Sequence, residues 1–200
     1  MTIQYTISEI VTIYQEIDKK SLQFQLATGL RCPSGCGRCC ENPTVEASVS
    51  ELLPLSEAIY AKEQVDVVLS AIEEREKQGN PVCVLYRSEP LTDSGRCSYY
   101  AYRPLVCRLF GFSARKNKRG HLEFCACKNI KEKDADAVRK AEALIASYFD
   151  IPVYQDMYMQ VASVHPGIGF QRLPINLAIK QAIAYLCWKT QENTKIKEAA

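Results

Sequence analysis

The 200-residue sequence predicts an α+β fold that is mainly helical: amphipathic helices flank an irregular cysteine-rich centre that carries a small β-hairpin. Three observations lead there. Apolar residues recur at helical spacing both before residue 32 and after residue 127. Nine of the ten cysteines fall between those two positions. Within that interval, residues 82–124 carry only short apolar pieces, with no helical period.

Taken in order, residues 7–29 place Ile7, Ile10, Val11, Tyr14 and Ile17 on one helical face, and Gly29 supplies a stop. Ser48 and Glu51 have the spacing of a capping box, with Leu52, Leu53, Leu55 and Ile59 behind it; Pro54 limits how far upstream that helix begins. Residues 65–77 form a further amphipathic helix, ended by Gly79, Asn80 and Pro81. Residues 110–113 and 121–124, joined through Asn117 and Gly120, are expected to pair as the hairpin. After Cys127 the spacing predicts helices over 134–149, 152–164 and 174–191, with proline at the first turn of the last two. Length suggests one domain over 1–200, with a core at 31–127 and a helical part at 131–191.

Composition excludes some classes of function. The chain is 47% hydrophobic and 24% charged with a formal net charge of +2, which gives no global pull toward nucleic acid or an anionic membrane. No apolar run approaches the roughly 20 residues that cross a bilayer. Residues 1–6 lack the basic stretch and apolar core of an export signal, so a reducing cytoplasmic location is expected.

Residues 32–40 read Cys32, Pro33, Ser34, Gly35, Cys36, Gly37, Arg38, Cys39, Cys40. Four thiols this close in one loop read as metal ligands, with Gly35 and Gly37 free to adopt positive φ and aim the sulfurs inward. Disulfides are the rival. Neighbouring Cα atoms stand about 3.8 Å apart, below the usual disulfide range of roughly 4.4–6.8 Å, so Cys39 and Cys40 do not bridge each other without strain. A chain of this length also buries a sufficient core without such staples.

Cys83, Cys97, Cys107, Cys125 and Cys127 complete the set of nine. One zinc ion takes four ligands, so nine thiols suit two mononuclear sites or a polynuclear cluster, and the centre is expected to be organised by metal. Adjacent side chains diverge, which assigns Cys39 and Cys40 to two ions or to two corners of a cluster. Cys125 and Cys127 share a side of an extended segment and could both reach one metal, or neither. His121 is near Cys125, but a histidine in a hairpin is more often solvated. Cys187 lies beside Ile183 and Leu186 and reads as a small hydrophobe of the core. Four thiolates on a divalent ion leave a net minus two that needs cations, and Arg38, Arg103 and Arg108 sit beside ligand candidates; Arg31 is as readily a solvated arginine. Tyr99, Tyr100 and Tyr102 are expected to dry the surroundings of the site. The basic run Arg115, Lys116, Lys118, Arg119 reads as a solvated hairpin tip, and no catalytic constellation is evident.

The loop from Cys32 to Cys40, the Cys83-Val84-Leu85 element, and the run from Gly95 through Cys97, Tyr99, Tyr100, Arg103, Pro104, Cys107 and Arg108 to Phe110 together resemble the YkgJ-type cysteine cluster proteins, the CxxCxxCC family of zinc- or iron-chelating domains. Residues 31–112 carry the likeness. Cys32 and Cys36 are separated by three residues where the family has two, and Tyr99 stands where it usually has isoleucine. The resemblance implies a metal-binding protein that chelates zinc or iron, with an iron-sulfur cluster among the forms, through its clustered thiolates.

Two alternatives remain open from sequence. Cys32, Cys36 and Cys39 match the C-x3-C-x2-C spacing of radical S-adenosylmethionine enzymes, although the repeated strand and helix units of their barrels are missing. Related cysteine clusters occur in the lysine N-methylases of flagellin, which implies an iron-cluster enzyme, methylase-like or redox. A structural zinc module that docks a protein partner is the third class. Metal ions are the expected partners, with no membrane and no nucleic acid.

Overall fold

The computed structural model describes residues 2–32, 36–89 and 94–198. Helix α1 (Ile3–Thr28) begins four residues before the periodicity predicts, because the Thr2 hydroxyl accepts a hydrogen bond from the Tyr5 amide and caps it. It ends at Gly29, whose φ of +82° is the left-handed turn that glycine adopts without strain. The helix buries Ile3, Ile7, Ile10, Tyr14, Ile17 and Phe24 along one face.

Next come α2 (Arg38–Glu41), a single turn that carries Cys39 and Cys40, and the short strand β1 (Glu46–Ser48). The expected capping box opens α3 (Val49–Ala61): the Ser48 hydroxyl accepts from the Glu51 amide at 3.3 Å, and the Glu51 carboxylate accepts from the Ser48 amide at 3.0 Å. Pro54 is tolerated inside α3, near its start, where it removes one backbone bond. Helix α4 (Val65–Lys77) has the bounds its periodicity predicts.

The centre holds two hairpins rather than one. Strands β2 (Tyr86–Glu89) and β3 (Ser94–Cys97) pair antiparallel with Tyr86 opposite Cys97, followed by a 3-10 turn (Tyr100–Tyr102) and α5 (Leu105–Leu109). The expected hairpin forms from β4 (Ala114–Lys116) and β5 (Leu122–Phe124). Its first strand lies later than predicted because Gly111, at φ +86°, turns the chain after α5.

Helices α6 (Lys128–Lys133), α7 (Ala135–Ala146), α8 (Tyr154–Val164) and α9 (Pro166–Gly169) precede strand β6 (Arg172–Pro174) and the long helix α10 (Ile175–Glu198). Neither Pro152 nor Pro174 sits inside a first helical turn. The Pro152 carbonyl accepts from the Ala114 amide at 3.0 Å, which ties this segment to β4, and Pro174 closes β6 opposite Glu46 of β1. Pairing of β1 with β6 joins residues more than 120 positions apart, so local pattern carried no sign of it.

Three apolar clusters form the interior. One packs α3, α4 and α10 around Leu52, Leu55, Ile72, Ile179 and Ile183, and includes Cys40, Cys83, Val84 and Leu85. A second joins α1, α5 and α8, and a third gathers Phe24, Ala114, Ile130 and Ala141. A fully buried Leu or Ile such as Leu52 or Ile179 contributes about 1.5–3 kcal/mol of transfer free energy. Among the described residues, no helix is long and apolar enough to cross a membrane.

Candidate metal centre

Four contacts bring the first three cysteine-bearing segments together. The Cys83 amide donates to the Cys40 carbonyl at 3.2 Å. The Tyr86 hydroxyl donates to the Glu41 carboxylate at 2.8 Å. Pairing of β2 with β3 sets Cys97 opposite Tyr86. The Tyr86 ring itself lies on Gly37 and Gly95, where a Cβ on either glycine would overlap it. Gly37 has φ −99°, so its value here is close approach rather than the positive φ expected from sequence; the same expectation for Gly35 lies outside the described residues.

A fifth tie comes from outside the cysteine region. Asn176, in the first turn of α10, accepts from the Val84 amide at 2.8 Å and donates to the Val82 carbonyl at 3.0 Å, bracketing Cys83 from both sides. Nothing in the local sequence around Asn176 signals this. Its partners lie more than 90 residues away.

The thiols then divide by neighbourhood. Cys40 lies between Cys39 and Cys97, as hydrogen-bonding partner to both. Those two contacts and burial push the Cys40 thiol up, whereas contact with Cys40 draws Cys39 and Cys97 down, with the Arg103 guanidinium adding to the effect. Burial pushes the Cys83 thiol up to about 11. Desolvation also raises Cys107, whose charge neighbours are Cys39, Cys83, Cys97 and Arg103.

A second neighbourhood lies further out. Cys32 has Cys36 beside it, with Cys39 and Cys127 nearby, and the Asn129 amide donates to the Cys36 sulfur at 3.6 Å. Cys127 caps α6, which carries Asn129. Cys125 belongs to neither group: the charges around it are Arg115, Glu123 and Lys131. Cys187 is half-buried and packs against the first apolar cluster, as expected. His121 is exposed on its hairpin.

The three arginines fare differently. Arg103 stacks over the Tyr100 ring at 3.5 Å, donates from Nε to the Tyr100 carbonyl at 2.9 Å, and stands near Cys39, Cys97 and Cys107. Arg38 is exposed and pairs with Glu41 at 3.6 Å. Arg108, expected beside a thiolate, turns away from Cys107 into the helical interior. It binds Asp18 at 2.5 Å and the carbonyls of Arg103 and Ala101, and lies over the Tyr14 ring. Neighbours in the short α5 point apart, so Cys107 faces the thiols and Arg108 braces α1.

Cys32, Cys36, Cys39, Cys40, Cys83, Cys97 and Cys107 line one cavity of about 230 Å³, along with Tyr99, Tyr100 and Tyr102. The thiols meet in pairs rather than as a closed cage: among the described residues, no three His, Cys, Asp or Glu side chains stand as a ready metal site. The donor set still fits a thiophilic ion, because several free sulfurs from four chain segments share one largely apolar space.

Fold and site together define a mainly helical protein built around a thiol-lined cavity. Residues 31–128 match the model of the CxxCxxCC family, described as a "putative zinc- or iron-chelating domain", so this segment carries that domain. The matched segment contains every residue of both thiol groups. No curated protein and no solved structure matches the chain.

Proposed function

We propose that this protein binds zinc or iron through its thiolates in a reducing cytoplasm, and that the nine cysteines do not all serve. The inner ligands are Cys39, Cys40, Cys83, Cys97 and Cys107, with Arg103 offsetting their charge. The outer ligands are Cys32, Cys36 and Cys127. Cys125 is left out of the ligand set, Arg38 is a surface partner of Glu41, and Arg108 is a structural brace. The observation that carries this reading is the shared cavity: seven cysteines distant in sequence line one space, inside the segment that matches a zinc- or iron-chelating family.

Five inner thiols exceed the four that one zinc takes, so the inner and outer groups together suit two ions or one cluster. Metal there would cross-link the loop 32–40, the β2–β3 hairpin and α5, and so stabilise the whole chain as one domain. A second reading is favoured by one observation: the outer group has three thiols, of which Cys32 is exposed and Cys36 and Cys127 are half-buried, and three protein ligands with a free position is the pattern of a catalytic rather than a structural site. That reading is an iron-cluster enzyme, methylase-like or redox.

Anaerobic purification followed by metal counting and a visible spectrum tests both. A colourless protein with stoichiometric zinc removes the iron-cluster form, whereas iron, sulfide and broad absorption near about 400 nm support it. A spectral change on adding S-adenosylmethionine supports the methylase-like reading, and its absence counts against it. Protein that neither carries nor takes up zinc or iron overturns the proposal.

A further inference from the structure

Cys32, Tyr100 and Arg103 line a second cleft as well as the thiol cavity; this one is about 460 Å³, and its chemistry is different. One wall is apolar: Leu22 and Leu26, one turn apart on α1, are 56% and 74% exposed, and Phe112 faces the same space. Exposure of two leucines on one helical turn beside a concave surface is what a ligand with an apolar body would cover.

The rest of the cleft is cationic. Arg108 is spent on Asp18, but Arg31 and Arg103 have no carboxylate partner among the described residues. Among the described residues the lining therefore holds two guanidinium groups with no carboxylate partner, Arg103 also standing near the thiols Cys39, Cys97 and Cys107. Ser21 adds an independent sign. It is buried, with 5% of its surface exposed, and its hydroxyl has no hydrogen-bond partner, although a serine inside a helix commonly bonds the carbonyl four residues back. Buried polar groups are rarely left unmatched, and this one lies in the wall of the cleft.

We propose that this cleft is a binding site for a small amphipathic carboxylate. Its head pairs with Arg31 and Arg103, where planar guanidinium groups match a carboxylate in two-point contact. Its apolar body lies against Leu22, Leu26 and Phe112. Inorganic phosphate offers the charge without the body, and a long-chain alcohol the body without the charge. Neither half alone satisfies the site. The proposal uses Arg31 and α1 and shares Arg103 with the thiol site, but it requires no bound metal.

The test is calorimetric titration of the full chain, as purified, with octanoate, 1-octanol and inorganic phosphate. Octanoate is expected to bind saturably, at least about tenfold tighter than either of the others, a difference of about 1.4 kcal/mol. Arg31→Gln is expected to weaken octanoate about tenfold while leaving 1-octanol unchanged. Gln25→Glu, an isosteric change at the lip of the cleft, places a repelling charge there and is expected to act in the same direction. Leu26→Gln, at an exposed position, is expected to weaken octanoate without affecting phosphate. Octanoate that does not saturate below about 1 mM, phosphate that binds as tightly, or variants that bind octanoate like the parent would each overturn the proposal. Metal content measured on the same samples reports separately on the thiol reading.

Discussion

Each thiol group takes two cysteines from the same loop, yet those two pairs sit in different surroundings. Cys39 and Cys40 are held by α2, by the Cys83 amide on the Cys40 carbonyl, and by Tyr86 pressed onto Gly37 and Gly95; Cys40 and Cys83 belong to the largest apolar cluster. Cys32 and Cys36 lie a few residues earlier, and Cys32 is exposed, with Asn129 as the side chain that reaches the Cys36 sulfur. The difference teaches that identical ligand chemistry can serve separate ends. On our assignment, metal on the inner thiols would add cross-links beside a packed core, whereas metal on the outer ones would stay accessible to exchange or to a small molecule.

Removing metal should separate the groups most strongly. On our assignment, a strong chelator is expected to release outer metal quickly and inner metal slowly, and loss of the inner metal should lower the unfolding temperature by well over 10 °C, since structural thiolate sites contribute on the order of 10 kcal/mol in metallo-domains. Chelator-resolved metal release followed alongside thermal unfolding checks this. A single release phase with no change in melting would erase the distinction.

Gly95→Ala attacks the inner group without touching a sulfur. Its new methyl would overlap the Tyr86 ring and push β3 from the loop, at an expected cost of about 1–3 kcal/mol together with lost inner metal. Urea unfolding and metal analysis of the variant read both effects. Preserved metal content would show that the Tyr86 contact does not position Cys97.

Asn176→Ala should cost about 1–3 kcal/mol by stripping the Val82 carbonyl and Val84 amide of their partners. Inner metal should loosen while outer metal is unaffected, which metal competition with a colorimetric chelator would report.

Cys36→Ser is expected to change stability by less than about 1 kcal/mol while abolishing one portion of bound metal. Smallest of all, Cys125→Ser should fall within about 0.5 kcal/mol of the parent and leave the metal count intact, because its neighbours are Arg115, Glu123 and Lys131 rather than thiols. A fall in metal content for Cys125→Ser would return that residue to the ligand set.

Much of the scaffold was legible because its signals are local. Helix α4 and the capping box of Ser48 and Glu51 follow from residues within one or two turns of each other. The hairpin of β4 and β5 was readable as an element but not in register, since Gly111 could serve either as a strand residue or as a turn. Cys107 and Arg108 read as a joint ligand and cation because they adjoin in the chain; on the short α5 they face opposite ways. Cys125 and Cys127 were open from spacing alone, and only Cys127 came to lie near the other thiols.

Sequence alone determined the helical scaffold, the gathering of nine cysteines between residues 32 and 127 and the kind of donor atom they offer, because propensity, capping and ligand softness belong to individual residues and their near neighbours. Tertiary structure decided which sulfurs meet. That depends on contacts across tens of residues, such as Asn176 with Val82 and Val84, Tyr86 on Gly37 and Gly95, and β1 with β6, whose partners have no local reason to be paired until the chain has collapsed around them.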